Sequence, residues 1–129
     1  MTVPFWCLFA GVLLPYLWST LSFRERKERF GDIDLKTPRV QASQLSGSGA
    51  RAMGAHANAF EALIVFAPAV LVAHLASADP TWAARLAIVW VVARLAHGAA
   101  YLADMQPVRS LAFMVGFACA IGLFVLSAL

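Results

Sequence analysis

Three stretches of the chain, residues 4–23, 82–103 and 110–129, are apolar almost without interruption. A fourth, "RAMGAHANAFEALIVFAPAVLVAH" (51–74), becomes so only after a polar start. Apolar runs of about 18 or more residues read as transmembrane helices, because roughly 20 residues rising about 1.5 Å each cross the hydrocarbon layer. The pattern predicts an all-α protein, an integral membrane four-helix bundle forming a single domain over 1–129. Its spans fall at about 4–23, 50–77, 82–103 and 108–129. Pro15 lies inside the first span, where a neighbouring helix is expected to satisfy the carbonyl it frees. Thr81 reads as the cap of the third span, and Pro107 suits the first turn of the fourth, where a missing N–H is no loss.

The first and second spans are joined by "RERKERFGDIDLKTPRVQASQLSGSG" (24–49), charged at first and then rich in Ser and Gly. Its start is expected to extend the first helix by a basic turn or two. The "SGSG" at 46–49 carries no packing signal and is expected to be mobile.

Composition agrees with the membrane reading: 61% of the 129 residues are hydrophobic and 13% charged, against about 45–50% and about 25% in soluble domains. The formal net charge of +3 raises the question of nucleic acid, but the distribution of charge answers it. Arg24, Arg26, Lys27, Arg29, Lys36, Arg39 and Arg51, seven of the ten Lys and Arg residues, flank or occupy the first connection. The insertion rule then predicts a cytoplasmic loop 24–49, with both termini and the turn "SADPT" (77–81) on the other side. The turn "DMQP" (104–107) returns to the cytoplasmic face. No basic segment precedes the first apolar run, so it reads as a retained helix rather than a secretory signal. Cys7 and Cys119 sit in different spans and read as buried apolar residues. No internal repeat marks the chain as an inverted-repeat transporter.

Ionisable residues inside a span cost about 2.5–3.5 kcal/mol each on insertion scales and usually face a partner, a cavity or a ligand. Successive helical residues turn by about 100°, which places Trp90, Arg94, His97, Tyr101 and Asp104 within an arc of about 80° on the third span. On the second span Arg51, Asn58 and Glu61 share a face and His56 points away from it. Glu61 and Arg94 are expected to form a buried ion pair, since each would otherwise be an uncompensated charge. Arg85, on the far side and near an end, should snorkel. Asn58 reads equally well as interhelical glue or as a ligand contact, and His74 reads as structural. Arg94, His97 and Tyr101, with Arg109 and Ser110 opening the next span, form a cation-rich group suited to an anionic polar ligand. The three histidines and two cysteines lack a metal-ligand spacing.

"RAMGAHANAFEAL" (51–63) followed by "ARLAHGAAYLADMQPVRSLAF" (93–113) resembles the MAPEG family, membrane-associated proteins in eicosanoid and glutathione metabolism. The second run is similar to microsomal prostaglandin E synthase and microsomal glutathione transferase. The likeness spans nearly the whole chain, and the Arg-x-x-His-x-x-x-Tyr spacing (94, 97, 101), with Arg-Ser eight residues on, carries most of it. The resemblance implies a homotrimer with glutathione bound between subunits near the cytoplasmic face. It also implies glutathione contacts from Arg24, Asn58, Glu61, His97 and Tyr101, with Arg109 and Ser110 nearest the sulfur as catalytic residues; Arg94 and His56 match more structural positions. The better-studied eukaryotic members carry arginines in place of Gly54 and Ala57 and a tyrosine in place of Phe113, so two cationic contacts to glutathione are missing here. The compact length looks like that of a bacterial member, in the inner membrane. The activity implied is glutathione-dependent transfer to, or peroxidase action on, hydrophobic electrophiles arriving from the bilayer. Two other functions fit the sequence: a non-catalytic lipid-binding or scaffold trimer, and a small proton-coupled exporter using Glu61.

Overall fold

The computed structural model covers residues 1–129 and contains helices and no strand. In chain order the elements are α1 (Val3–Phe30), α2 (Pro38–Ser43), α3 (Gly47–Leu75), α4 (Pro80–Leu102) and α5 (Gln106–Leu126). All but the short α2 are long and apolar enough to cross a membrane, and the chain is a multi-pass membrane protein. At about 1.5 Å per residue, the 28 residues of α1 extend about 42 Å against roughly 30 Å of hydrocarbon. Its charged end therefore stands clear of the apolar layer, with Lys27 and Arg29 in the last turn, where the helix dipole favours cations.

The segment 31–49 is built rather than loose. Arg26, only 5% exposed, donates from Nε to Gln41 Oε1 (3.0 Å) and from Nη2 to the Pro38 carbonyl (2.8 Å). Gln41 in turn donates to the Asp32 carbonyl at 2.8 Å. Asp34 accepts from the Thr37 hydroxyl and from the Thr37 and Lys36 amides; these bonds hold its carboxyl below the usual carboxylate range. The "SGSG" expected to be mobile is instead the N-cap and first turn of α3. Ser46 accepts from Arg29, and Ser48 donates to Glu25. The tethers come from α1, far away in sequence, so local composition gave no sign of them.

The α3–α4 pair forms the middle of the bundle: α1 and α5 each pack on both, and do not approach each other. Lipid tails supply no hydrophobic drive for helix association, so close packing depends on small residues. Accordingly Ala52, Ala55, Ala59, Ala69 and Ala73 of α3 are buried, as are Ala83, Ala87, Ala93 and Ala100 of α4. Two reciprocal glycine–tryptophan contacts fix α1 against α4. A Cβ on Gly11 would lie 2.9 Å from the Trp90 ring, and one on Gly98 would overlap the Trp18 ring. Trp90 also stacks on Phe66 at 3.7 Å between ring centroids, so this member of the polar stripe belongs to the core. Cys7 and Cys119 are both buried and free.

Helix ends differ from the sequence expectation in instructive ways. Asp79, not Thr81, caps α4, its carboxylate accepting from the Trp82 amide at 2.8 Å; Pro80 then takes the first helical turn, where it is at home. α3 and α4 both close with paired bonds of the Schellman type, Ala78 to Ala73 and Ser77 to His74 in one, Met105 to Ala100 and Asp104 to Tyr101 in the other. The left-handed residues are Ser77 (φ 55°) and Asp104 (φ 58°) rather than glycines, so the usual sequence signal for this cap is missing. Asp104 is thereby turned off the α4 stripe. In α1, the carbonyl of Pro15 itself takes the Nδ1–H of His56 at 2.8 Å; a carbonyl only accepts, so the ring proton lies on Nδ1.

Candidate functional site

Arg94 anchors the site from inside α4. It is 3% exposed and donates from Nη2 to Asn58 Oδ1 at 2.5 Å and to His97 Nδ1 at 3.1 Å. Arginine cannot accept, so His97 presents a lone pair at Nδ1 and carries its own hydrogen on Nε2. Arg94 Nε has no partner.

The expected Glu61–Arg94 ion pair does not form; the only ion pair in the chain is Arg24–Glu28, at 2.7 Å. The Asn58 amide stands between the two charges, its oxygen on Arg94 and its nitrogen donating to Glu61 Oε2 at 3.3 Å. An amide satisfies both neighbours because it offers both a donor and an acceptor. Glu61 itself lies exposed on the surface of the chain.

Above this network, at the junction of α4 and α5, a cleft of about 310 Å³ is lined by Asn58, His97, Tyr101, Arg109, Ser110, Phe113 and Met114. Its volume falls at the lower end for ligand sites, roughly 300–1,000 Å³. The Arg109 guanidinium lies over the Tyr101 ring, 4.5 Å from its centroid, a cation–π contact that holds the long side chain in place. The Tyr101 ring also meets the edge of His97 at 5.7 Å. No carboxylate lines the cleft, so Arg109 keeps its charge without an internal counter-ion. The arrangement offers a fixed cation, a hydroxyl from Ser110, a phenol and an amide, which together suit the polar end of an anionic ligand.

Five of the seven sequence candidates thus meet: Asn58, His97, Tyr101, Arg109 and Ser110. The other two do not join them within one chain. Glu61 lines a neighbouring pocket with Ala62, Val65, Trp90, Arg94, Phe113, Phe117 and Ala120. Arg24 is exposed at the end of α1, bound to Glu28, a contact that raises its pKa further. Arg51, placed by periodicity with Asn58 and Glu61, instead donates to the Leu102 carbonyl at 3.0 Å and closes the end of α4. His56 turns to α1, as above. Met114 was missed as a lining residue and Phe113 was noted only as a departure from the tyrosine of relatives, although they lie one helical turn beyond Ser110 and Arg109 respectively, the spacing that puts residues on one face.

The remaining large cavities sit at the far end of the bundle. One, of about 520 Å³ between α4 and α5, is lined by Trp82, Leu86, Ile121 and neighbours, almost wholly apolar. Arg85 lies nearby over Trp82 at 5.0 Å. Another, of about 470 Å³, includes His74, whose ring meets Phe5 edge-on at 4.9 Å. Neither gathers charged groups. The model of the MAPEG family matches residues 3–129 of the chain. A comparison with individual curated proteins gives no match.

Proposed function

Because the chain belongs to the MAPEG family, a family tied in general to glutathione and eicosanoid metabolism, we propose that it is a membrane-embedded glutathione-dependent transferase or peroxidase acting on hydrophobic electrophiles. The observation that carries the proposal is the cation-rich cleft in which Arg109, unopposed by any carboxylate, is held over Tyr101 beside Ser110.

When bound, glutathione supplies a thiolate nucleophile. Arg109 favours that anion over the protonated thiol through its nearby positive charge, and Ser110 donates a hydrogen bond to it. Asn58, His97 and Tyr101 hold the peptide portion. Phe113 is common to the polar cleft and to the more apolar pocket beneath it, which gives an electrophile dissolved in the bilayer a route to the same place. Asn58 cannot swing freely to meet a ligand, since Arg94 already fixes its oxygen; that fixed geometry avoids reorganisation when the charge develops.

The proposal includes a homotrimer. Its support is Glu61, an exposed carboxylate on a span, which costs about 2.5–3.5 kcal/mol if it meets lipid and is relieved by a covering subunit. Arg24 and Glu61 then complete the site at the subunit boundary. It also includes a cytoplasmic loop 24–49, supported by the basic residues there, in a bacterial inner membrane. Cysteine introduced at the exposed Ser46, with Cys7 and Cys119 replaced, should react in intact cells only with membrane-permeant reagents; modification by an impermeant one reverses the orientation.

Purified protein should turn over a generic aryl halide with glutathione, forming the thioether and releasing halide and a proton. Arg109→Ala should lower that turnover by about 10²–10³ while the oligomer elutes unchanged. Undiminished turnover removes Arg109 from the mechanism. If the unsubstituted protein neither turns over nor binds glutathione, a non-catalytic lipid-binding or scaffold trimer becomes the better reading.

A further inference from the structure

Tyr101 is the hinge between the buried network and the open cleft, and its position is set by a residue with no side chain. A Cβ placed on Gly54 of α3 would stand 2.6 Å from the Tyr101 hydroxyl oxygen, 2.7 Å from Cζ and 2.8 Å from Cε1. Real Cβ atoms do not approach that closely, so the phenol occupies space that every other residue type would fill. The same ring carries Arg109 over its face and touches His97. Three neighbours therefore bound the ring, and two of them line the cleft.

We propose that Gly54 is a positioning residue for the candidate site: by leaving the α3 backbone bare it seats the Tyr101 ring against that helix, and the seated ring sets where Arg109 stands. The proposal rests on the glutathione reading of the cleft for its functional consequence, though not for its geometry. Gly54 touches no reacting atom in this scheme. Its effect passes through Tyr101, and from there to the guanidinium.

Nothing else at Gly54 calls for glycine. It lies within α3, where glycine costs about 1 kcal/mol relative to alanine. On helix propensity alone, Gly54→Ala is a stabilising change. The contact with Tyr101 reverses that expectation: a methyl group at 54 must push the phenol off α3, and so disturb the ring on which Arg109 stacks. Misplacement of a positioned group by about 1 Å commonly costs on the order of 10²-fold in rate. Gly54→Ala should lower kcat/KM with glutathione by roughly tenfold to a hundredfold.

Two readouts separate this from a packing defect. The chain has only two tyrosines, Tyr16 and Tyr101, so 3-fluorotyrosine labelling yields two ¹⁹F resonances, assigned with Tyr16→Phe. Tyr16 packs on Phe60 at 5.9 Å and serves as the internal reference. Gly54→Ala should shift the Tyr101 resonance without ligand and leave that of Tyr16 in place. The second readout is a double-mutant cycle with Tyr101→Ala. Once the ring is gone, Gly54→Ala should cost nothing further in kcat/KM, because the two changes act on one contact. An unmoved Tyr101 resonance overturns the proposal, as does an undiminished cost of Gly54→Ala in the Tyr101→Ala background. If Gly54→Ala fails to fold, recovery of folding in the double variant supports the contact, and failure of both overturns it. If the protein does not use glutathione, the fluorine spectra still decide whether Gly54 seats the ring.

Discussion

Two buried arginines, Arg26 and Arg94, have almost the same exposure, 5% and 3%, and opposite surroundings. Arg26 spends its donors on Gln41 and on the Pro38 carbonyl, both in the segment it holds down. Arg94 spends Nη2 on Asn58 and His97 and leaves Nε unpaired, beside a cleft where Arg109 has no counter-ion. Burying a polar group is costly unless it is hydrogen-bonded. Arg26 meets that condition within the chain, and its role is complete there. The Arg94–Arg109 region keeps donors in surplus, which the anionic ligand proposed for the cleft would meet.

The largest effect is expected from removing the acceptor that Arg94 depends on, the Asn58 side-chain oxygen. Interhelical hydrogen bonds in membranes average only about 0.6 kcal/mol. Asn58→Leu does more than delete one, since it leaves a buried guanidinium donor unsatisfied, a penalty of about 1–3 kcal/mol or more for a charged group. Glu61→Ala removes a carboxylate that touches Asn58 and not Arg94. Thermal denaturation in detergent should therefore show a clear loss for Asn58→Leu and a smaller one for Glu61→Ala. The reverse order would mean that the long-range charge of Glu61, rather than the amide between, holds Arg94.

The fold class was legible because hydropathy and length dictate membrane spans and little competes with them. Most of the cleft was legible for a related reason. Arg94, His97 and Tyr101 recur at helical spacing on one side of α4, so periodicity alone aligns them. What periodicity could not show was pairing between helices. Charge compensation suggested Glu61 as the partner of Arg94, and periodicity could not reveal that Asn58, on the same face as Glu61, reaches Arg94 first. Periodicity also could not foresee Arg51 at the end of α4, because a long side chain takes its partner from the neighbouring helix. Asp104 was assigned to the stripe by continuing the helical angle past the point where the chain adopts a left-handed residue. The structured "SGSG" was missed because its restraints, Arg29 and Glu25, lie on α1.

Arg26 supplies the milder test, on the side of the comparison where all needs are met internally. Arg26→Ala deletes two hydrogen bonds and exposes the Gln41 amide oxygen and the Pro38 carbonyl. These lie beyond the apolar layer, where water can replace the lost donor, so the net contribution of each bond is only about 0.5–1.5 kcal/mol. The loss should also stay local, since α2 packs only on α1 and α3 and the core of the four spans does not include it. Limited proteolysis should cut the 31–46 segment of Arg26→Ala much faster than that of the unsubstituted protein. The global melting temperature and the Tyr101–Arg109 stack should change little. If Arg26→Ala instead destabilises the bundle as severely as Asn58→Leu, the two arginines are parts of one network.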